Sequence, residues 1–187
     1  MVPSGAVLAR AHRADGTHGE LHHVCVVGDD IRFWRPPADA DREIPEFARR
    51  HAQAFGRGTF QAVRGLRLGV VGCSGTGSPL VDQVARLGVG EIVLVDPDKV
   101  EEKNLNRIVN TTRGDIGRPK VEVLAGFVER LGLGSRVEAF AHDLSHPAAL
   151  HAISTCDVVF GCMDGVEGRD LLNRLATFYG LAYFDVG

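Results

Sequence analysis

A glycine-rich turn and an acidic residue that follows it are the first residues in this sequence whose types could do chemistry. The turn reads GCSGTGS and contains Gly72, Gly75 and Gly77. Backbone N–H groups at such a turn, where a helix begins, can bind phosphate. Asp96 comes roughly 20 residues later, at a spacing from which a carboxylate accepts hydrogen bonds from ribose hydroxyls. Together they predict a nucleotide-binding site.

Cationic and amide side chains follow at Asn104, Arg107 and Lys120. A hydride-transfer enzyme needs no cationic clamp at this point. An enzyme that cleaves a nucleoside triphosphate does need one, because negative charge must be neutralised as pyrophosphate leaves. An isolated Arg or Lys is usually an ordinary surface charge, and this alternative stays open for Arg107 and Lys120. Their clustering with asparagines near the turn favours a function.

A further carboxylate, Asp164, follows the apolar segment DVVFGC, which is predicted to contain a strand. Ligands of open α/β sheets bind at the carboxyl ends of parallel strands. Asp164 is therefore well placed to hold Mg²⁺ on the phosphates. Asp is also a preferred helix N-cap, and a cap of the following helix is an equally weighted alternative.

The elements that position these residues alternate between apolar strands and helices with one apolar face. The glycine turn separates a strand, 66–71, from a helix in which Ser78 is the predicted N-cap and Pro79 lies in the first turn. A second strand, 92–95, leads to Asp96. The further predicted strands are 136–140, 157–160 and 181–184, and the further predicted helices are 46–55, one from 117–120 to Leu131, 147–153, and 169–179 with Leu171, Leu172, Leu175 and Phe178 inward. This alternation predicts a Rossmann-like α/β fold, a doubly wound and mainly parallel sheet with helices on both faces.

The chain is predicted to divide near residue 45. Residues 1–45 form a small N-terminal extension of unclear role, with a hairpin made of 24–27 and 31–34. Residues 46–187 form the nucleotide-binding domain. Because the chain stops directly after an apolar strand, we expect this domain to be truncated at its C-terminal end.

Composition and charge argue against several classes of protein. The net charge of −3 gives no reason to propose binding to nucleic acid or to a membrane surface. No apolar run approaches the ~20 residues that cross a bilayer, and no signal-peptide pattern is present, so the cytoplasm is the expected location. Neither the cysteines nor a histidine cluster has the spacing of a zinc site, and free thiols and exposed histidines are the preferred interpretation for Cys25, Cys73, Cys156, Cys162, His18, His22 and His23.

Four motifs, GCSGTGS, VDPDKVEEKNLNR, GRPK and DVVFGCMDG, occur in the order and close to the spacings of one known family. They resemble the bacterial ThiF/MoeB/HesA adenylyltransferases of the ubiquitin-activating-enzyme superfamily, over roughly residues 46–187. The resemblance implies ATP- and Mg²⁺-dependent adenylation of the C-terminal glycine of a ubiquitin-like or sulfur-carrier protein, with release of pyrophosphate. Some family relatives activate a carboxylate on a tRNA base instead. The resemblance also implies a homodimer.

The same resemblance implies roles for individual residues. Asp96 would bind the ribose and Asp164 would bind Mg²⁺. The stretch FARRHAQAFG resembles a segment whose arginine enters the ATP site of the partner subunit, a role for Arg50 or Arg49. The ATP site would be lined, and the developing charge on the phosphates contacted, by Gly72, Gly75, Gly77, Asn104, Arg107 and Lys120.

Three features depart from the family pattern. Ser74 replaces a usual glycine, and Lys103 stands where a small polar residue is common. The family's catalytic cysteine and its CxxC zinc pairs lie beyond the end of this chain. We therefore propose none of the cysteines in this chain as a thioester nucleophile. Two alternatives stay open: an NAD(P)-dependent oxidoreductase, favoured by the glycine turn and Asp96, and a non-catalytic nucleotide-binding partner subunit.

Overall fold

The chain forms two compact units, Met1–Glu43 and Ile44–Gly187. A computed structural model describes residues 10–21, 24–27, 31–34 and 43–187. The first unit contains two antiparallel hairpins, made of β1 (Arg10–His12) with β2 (His18–Glu20) and of β3 (Val24–Val27) with β4 (Ile31–Trp34). The second hairpin has the bounds that the sequence predicts, whereas His22 and His23 lie outside the described residues.

Strands and helices alternate along the second unit. Its strands are β5 (Arg67–Val71), β6 (Glu91–Val95), β7 (Arg136–Phe140), β8 (Val158–Gly161) and β9 (Ala182–Asp185). Its helices are α1 (Arg49–Phe55), α2 (Arg57–Arg64), α3 (Gly77–Leu87), α4 (Lys120–Leu131), α5 (Pro147–Ser154) and α6 (Val166–Tyr179). In the described part of the chain, none of the helices combines the length and the apolar character needed to span a membrane.

The five strands of the second unit form one parallel sheet in the order β7-β6-β5-β8-β9. The chain runs outward from β5 through β6 to β7, then returns to the other side of β5 for β8 and β9. This reversal makes the point between β5 and β8 a topological switch, where open α/β sheets bind ligands beyond the carboxyl ends of the strands. The predicted doubly wound α/β fold is confirmed.

The sheet is buried on both faces. In β6, Ile92 and Leu94 point into one core, while Val93 and Val95 point into the other, because successive strand residues face opposite sides. Helices α3 and α4 cover the first face, and α5 and α6 cover the second. Burial on both faces explains why the strand sequences are almost continuously apolar.

Some local predictions are wrong. Helix α3 begins at Gly77 after Thr76, so Ser78 lies inside the helix and is not its N-cap. The predicted helix 46–55, by contrast, is confirmed from Arg49 to Phe55 as α1, and only its first three residues, Glu46–Ala48, form a 3₁₀ turn.

Phe178 was predicted to face inward, but it is 82% exposed. It shares a groove with Leu171 and Leu175 of α6 and with Leu150 of α5. The helical spacing therefore correctly predicts that Phe178 lies on the same side of α6 as Leu171 and Leu175. Within the described residues, however, the packing does not extend far enough along the helix to cover it.

Candidate functional site

A cavity of about 860 Å³ lies at the carboxyl ends of the parallel strands. Its walls come from the glycine turn after β5 and from the loops after β6, β7 and β8. The volume falls within the range of about 300–1,000 Å³ that is usual for small-molecule sites. The location is the one that the strand order predicts for a ligand.

Most of the predicted site residues meet at this cavity. Gly77 lies behind the turn that lines it, and neither Arg50 nor Arg49, both on α1, contributes to its walls. Those that do line it are Gly72, Gly75, Asp96, Asn104, Arg107, Lys120 and Asp164. The fold thus brings together residues that are up to 92 positions apart in the sequence, from Gly72 to Asp164.

The glycine turn is shaped by two close approaches of backbone to backbone. Gly72 has a φ of 94°, and a Cβ atom there would lie 2.6 Å from the carbonyl oxygen of Cys162. A Cβ atom on Gly77 would collide with the carbonyl oxygen of Gly72. A larger residue at Gly72 would push the turn away from the end of β8, and one at Gly77 would push the start of α3 away from the turn. Ser74 lines the cavity, and its carbonyl accepts a hydrogen bond from the Ser78 N–H at 2.9 Å.

Asp96 joins the glycine turn to the loop after β6. Its Oδ2 accepts a hydrogen bond from the Cys73 N–H at 2.7 Å, and its Oδ1 accepts one from the Asp98 N–H at 2.8 Å. Burial raises the pKa of Asp96, while these two bonds and the charge of Lys120 oppose the rise. A carboxylate offers about four lone-pair positions, so the fixed Asp96 side chain can still accept hydrogen bonds from a ligand in the cavity.

Lys120, the first residue of α4, is only 5% exposed. Its Nζ lies 2.7 Å from Oδ2 of Asp98 and 3.7 Å from Oδ1 of Asp96. Its backbone N–H also donates to the Asp98 carbonyl at 3.0 Å. The alternative that Lys120 is an ordinary surface charge is therefore wrong, since it is a buried cation fixed between two carboxylates.

Arg107 is exposed and lies against the glycine turn. A Cβ atom on Gly75 would be 3.2 Å from the Arg107 Cδ, so glycine leaves room for the arginine stem. The guanidinium donates to the Lys103 carbonyl at 2.9 Å and more weakly to the Asn106 side chain at 3.4 Å. Across the described ranges, no carboxylate forms an ion pair with it. Arg107 therefore presents an uncompensated positive charge to the cavity.

The amide of Asn104 is held in one orientation. The side chain is 3% exposed, and its Oδ1 accepts a hydrogen bond from the Glu101 N–H at 2.9 Å. A backbone donor on the oxygen assigns the other end of the amide as the NH₂ group, which is a donor. Since Asn104 lines the cavity, this group can donate to an anionic ligand.

Asp164 lies in the loop between β8 and α6. The N-cap of α6 is Gly165 and no side chain caps that helix, so the helix-cap alternative for Asp164 is wrong. Its carboxylate is exposed and makes no ion pair or hydrogen bond with another residue in the part of the chain that the structure describes. Asp164 is thus an unpaired charge at the cavity, opposite in sign to Arg107.

Sequence reasoning missed several residues at the cavity. Asp98, the partner of Lys120, is one of them, and the loop after β7 supplies Asp143 and Ser145. The signal for these two was available, because β7 was predicted and the carboxyl ends of parallel strands meet at one edge. Lys103 also lines the cavity, with its Nζ 3.0 Å from Oε2 of Glu101.

The three described cysteine side chains are free thiols, as predicted. Burial raises the pKa of Cys73 well above its usual range, that of Cys162 to about 11 and that of Cys156 to about 12. A thiol is a nucleophile only as the thiolate, so these groups are unreactive at neutral pH. Within the described residues, no group of three or more His, Cys, Asp or Glu side chains is arranged to hold a metal ion by itself.

Comparisons with known proteins agree on one family. The ThiF family model matches residues 47–187. The SAMP-activating enzyme E1 of Haloferax volcanii is 37% identical over 115 residues, which are 62% of this chain and 43% of that protein. The sulfur carrier protein adenylyltransferase of Thermus thermophilus is 35% identical over 111 residues, 59% of this chain and 41% of that protein. The matched region therefore spans less than half of the length of either relative.

A solved structure shares the fold. The tRNA N6-threonylcarbamoyladenosine dehydratase TcdA of E. coli, in complex with ATP, superposes with a TM-score of 0.65 at 25% identity. The similarity covers 72% of this chain and 56% of that protein.

Proposed function

This chain belongs to the ThiF family, and on that premise we propose that it catalyses the ATP- and Mg²⁺-dependent adenylation of a carboxylate. The acceptor in this proposal is the C-terminal glycine of a ubiquitin-like or sulfur-carrier protein. A carboxylate oxygen bonds to the α-phosphorus, the bond from that phosphorus to the bridging oxygen breaks, and pyrophosphate leaves. The names of the relatives from Haloferax volcanii and Thermus thermophilus support this choice of acceptor.

The observation that carries the proposal is the presence of uncompensated charges of both signs at one cavity. Among the described residues, six acidic and three basic side chains line it. Lys120 is neutralised by Asp98, and Lys103 by Glu101. Within the described residues this leaves Arg107 without a carboxylate partner, and three lining carboxylates, Asp164, Asp143 and Glu167, without a cation. A nucleoside triphosphate that carries a divalent cation supplies a partner for each sign, its phosphates for Arg107 and its cation for the carboxylates. A nicotinamide dinucleotide binds without a divalent cation on its pyrophosphate, so it would leave Asp164 facing that negative charge.

Each of the groups held in place at the cavity has a role in this reaction. Asp96 would accept hydrogen bonds from the ribose, while the turn N–H groups and Asn104 would hold phosphate oxygens. Lys120 and Arg107 would stabilise the charge that passes to pyrophosphate. A carboxylate acceptor needs no general base, because it is already ionised at neutral pH. Catalysis would then depend on positioning and electrostatics.

Asp164 is the proposed ligand of Mg²⁺. Mg²⁺ is usually bound by one or two carboxylates together with substrate phosphates, and not by a cage made wholly of protein. Asp164, an exposed and unpaired carboxylate at the cavity, fits that pattern. When bound, the ion would neutralise phosphate charge and so help pyrophosphate to leave.

We also propose that the chain acts as a homodimer in which Arg50 of one copy enters the ATP site of the other. Arg50 is exposed on α1 and lies outside the cavity of its own chain. Arg49 pairs with Glu46 at 2.8 Å, which makes Arg50 the better candidate. Mixing inactive Arg50→Ala and Asp164→Ala chains should restore activity, because one of the two sites in a mixed dimer would be intact. No recovery on mixing would contradict the shared site.

Residues 46–187 are proposed as the adenylation domain and residues 1–45 as an extension. A cytoplasmic location is part of the same proposal, and the free thiols of the described cysteines support it, because reducing compartments keep thiols unpaired.

Activation of a carboxylate on a tRNA base is the second candidate, supported by the similarity to TcdA. The net charge of −3 argues against a polyanionic partner, so we prefer the carrier protein. The dehydrogenase alternative loses its support, because the family that matches is ThiF.

The test is ATP–pyrophosphate exchange with radiolabelled pyrophosphate, run with a sulfur-carrier protein that ends in glycine. The matched control is the same carrier with an amidated C-terminus, which lacks the nucleophile. We expect exchange with the carrier whose C-terminal carboxylate is free and none with the amidated carrier. Exchange with tRNA in place of the carrier would favour the second candidate. ATP binding without exchange for any carboxylate would favour the non-catalytic partner subunit.

A further inference from the structure

The buried serine at the start of α3 contacts the loop that carries Arg107. Ser78 is 0% exposed, and its Oγ accepts a hydrogen bond from the Val109 N–H at 3.0 Å. The donor lies two residues beyond Arg107 and 31 residues beyond Ser78. A serine hydroxyl within a helix usually bonds to its own helix or faces solvent, whereas the hydroxyl of Ser78 accepts a hydrogen bond from another segment.

Ser78 holds the segment 102–112, which we call the arginine loop. The loop is fixed at one end by Asn104, whose carbonyl accepts the N–H groups of Arg107 and Ile108 at 3.0 Å. Ile108 is 3% exposed and anchors the middle of the loop. At the other end, Ser78 supplies the acceptor for Val109. Arg107 therefore lies between two fixed points.

A second side chain of α3 contacts the same end of the loop. Asp82 lies one helical turn after Ser78, and its Oδ1 accepts a hydrogen bond from the Asn110 side chain at 3.4 Å. Asn110 has a φ of 62°, in the left-handed region that asparagine tolerates better than most residues. One face of α3 thus holds two successive residues of the arginine loop.

The same helix also begins at the glycine turn, because Gly77 is its first residue. The turn and the arginine loop are therefore attached to α3 within one residue of each other, at Gly77 and Ser78. We infer that Ser78 is a positioning residue, which holds the Arg107 guanidinium beside the glycine turn so that it meets the phosphates of a bound nucleoside triphosphate. This inference rests on the proposed function, since it takes ATP as the ligand.

The test is calorimetric titration of the full chain with ATP and with adenosine. Adenosine lacks the phosphates that Arg107 would contact. We expect Ser78→Ala to weaken ATP binding about three- to tenfold, the loss of one hydrogen bond, and to change adenosine binding less than about twofold. In an Arg107→Ala background, Ser78→Ala should change the ATP affinity less than about twofold, because the group it positions is gone.

Ser135→Ala is the matched control. It removes another serine hydroxyl, which donates to the Val89 carbonyl at 2.7 Å before β7, at the opposite end of the sheet. It should leave both affinities unchanged. Asn110→Gly removes the neighbouring contact between the arginine loop and Asp82 without altering the core, since glycine adopts the positive φ. An ATP-selective loss of about twofold is expected.

Equal losses for ATP and adenosine, in Ser78→Ala or in Asn110→Gly, would overturn the inference and leave Ser78 a purely structural residue. An undiminished effect of Ser78→Ala in the Arg107→Ala background would overturn it as well. Failure of the wild-type chain to bind ATP would be a different result, because it contradicts the proposed function before any variant is compared.

Discussion

The two ends of the parallel sheet use the same types of charged residue in opposite ways. At the amino ends of β5, β6 and β7, Arg67 bonds to Glu91 and, through two donors at 3.0 Å each, to Glu138. Arg136 donates to the same Glu91 at 3.0 Å. The hydrogen bond from Arg67 holds the pKa of Glu138 below its usual range. Every charge in this group has a partner.

At the carboxyl ends, charges are held in place but not all are paired. Lys120 is fixed by Asp98, whereas Arg107 and Asp164 face the cavity without partners of opposite charge in the described parts of the chain. A closed network can only stabilise the fold, while an open one leaves interaction energy for a ligand. The difference in pairing, and not in composition, separates the structural end of this sheet from its candidate site.

The largest expected effect is the loss of ATP–pyrophosphate exchange when a charged side chain at the carboxyl ends of the strands is removed. Arg107→Ala and Asp164→Ala should each lower ATP–pyrophosphate exchange about 100- to 1,000-fold. The first removes a cation that would stabilise the leaving pyrophosphate, and the second removes the proposed ligand of Mg²⁺. The unfolding free energy should change by less than about 0.5 kcal/mol, since neither side chain has an ion-pair partner to lose. Arg113→Ala, which removes an exposed arginine paired with Glu102, is the control. Wild-type exchange in a folded Arg107→Ala protein would remove the contrast between the two ends.

Enlarging a glycine at the carboxyl ends of the strands should lower stability without altering any charged residue. Gly77→Ala places a Cβ atom against the Gly72 carbonyl, and we expect a loss of about 1–3 kcal/mol in unfolding free energy from the forced shift. Urea unfolding measures it. Gly114→Ala, where the nearest atom would be 3.6 Å away, should stay within about 0.5 kcal/mol of wild type. Equal stability of the two variants would show that α3 can move away from the turn freely.

At the amino end, removal of a charge should lower stability and spare the chemistry. Arg67→Ala leaves Glu91 and Glu138 without their main partner, and about 1–2 kcal/mol of unfolding free energy should be lost, between the values typical of exposed and buried pairs. Exchange activity per folded molecule should not change. Arg136→Ala, at an arginine whose side chain is 80% exposed, should cause a much smaller loss. A fall in exchange rate for Arg67→Ala would mean that the two ends are coupled.

The smallest expected effect is the pH dependence of that pair. The folded pKa of Glu138 lies below its unfolded value of 4.5, so the carboxylate adds stability above that pH and loses it as pH falls through the folded pKa. The difference in unfolding free energy between wild type and Arg67→Ala should therefore shrink from about pH 6 to about pH 3. The change should be modest, because the Glu138 side chain is 47% exposed. A constant difference over this range would exclude Glu138 as the group responsible.

Local sequence patterns predicted the fold well, because strand and helix periods repeat over many residues. They also predicted that Asp96 and Asp164 reach one edge, since that follows from the parallel sheet alone. The partner of Ser78 was missed, because a serine before proline resembles an N-cap and nothing nearby points to Val109. Pairing across the amino ends depends on the register between β5, β6 and β7, which only the folded sheet fixes.

The order of strands in the sheet also has a consequence for how this protein folds. Within the sheet, Arg67 meets Glu91 across 24 residues but meets Asp157 across 90. Closing the longer loop costs more chain entropy, so contacts across it form more slowly. We therefore expect the half of the cavity built on β5 and β6 to form early, and the loop after β8 to arrive last. A nascent or partly folded chain would hold the glycine turn and Asp96 without Asp164, so full occupancy by nucleotide would mark a domain whose folding is complete.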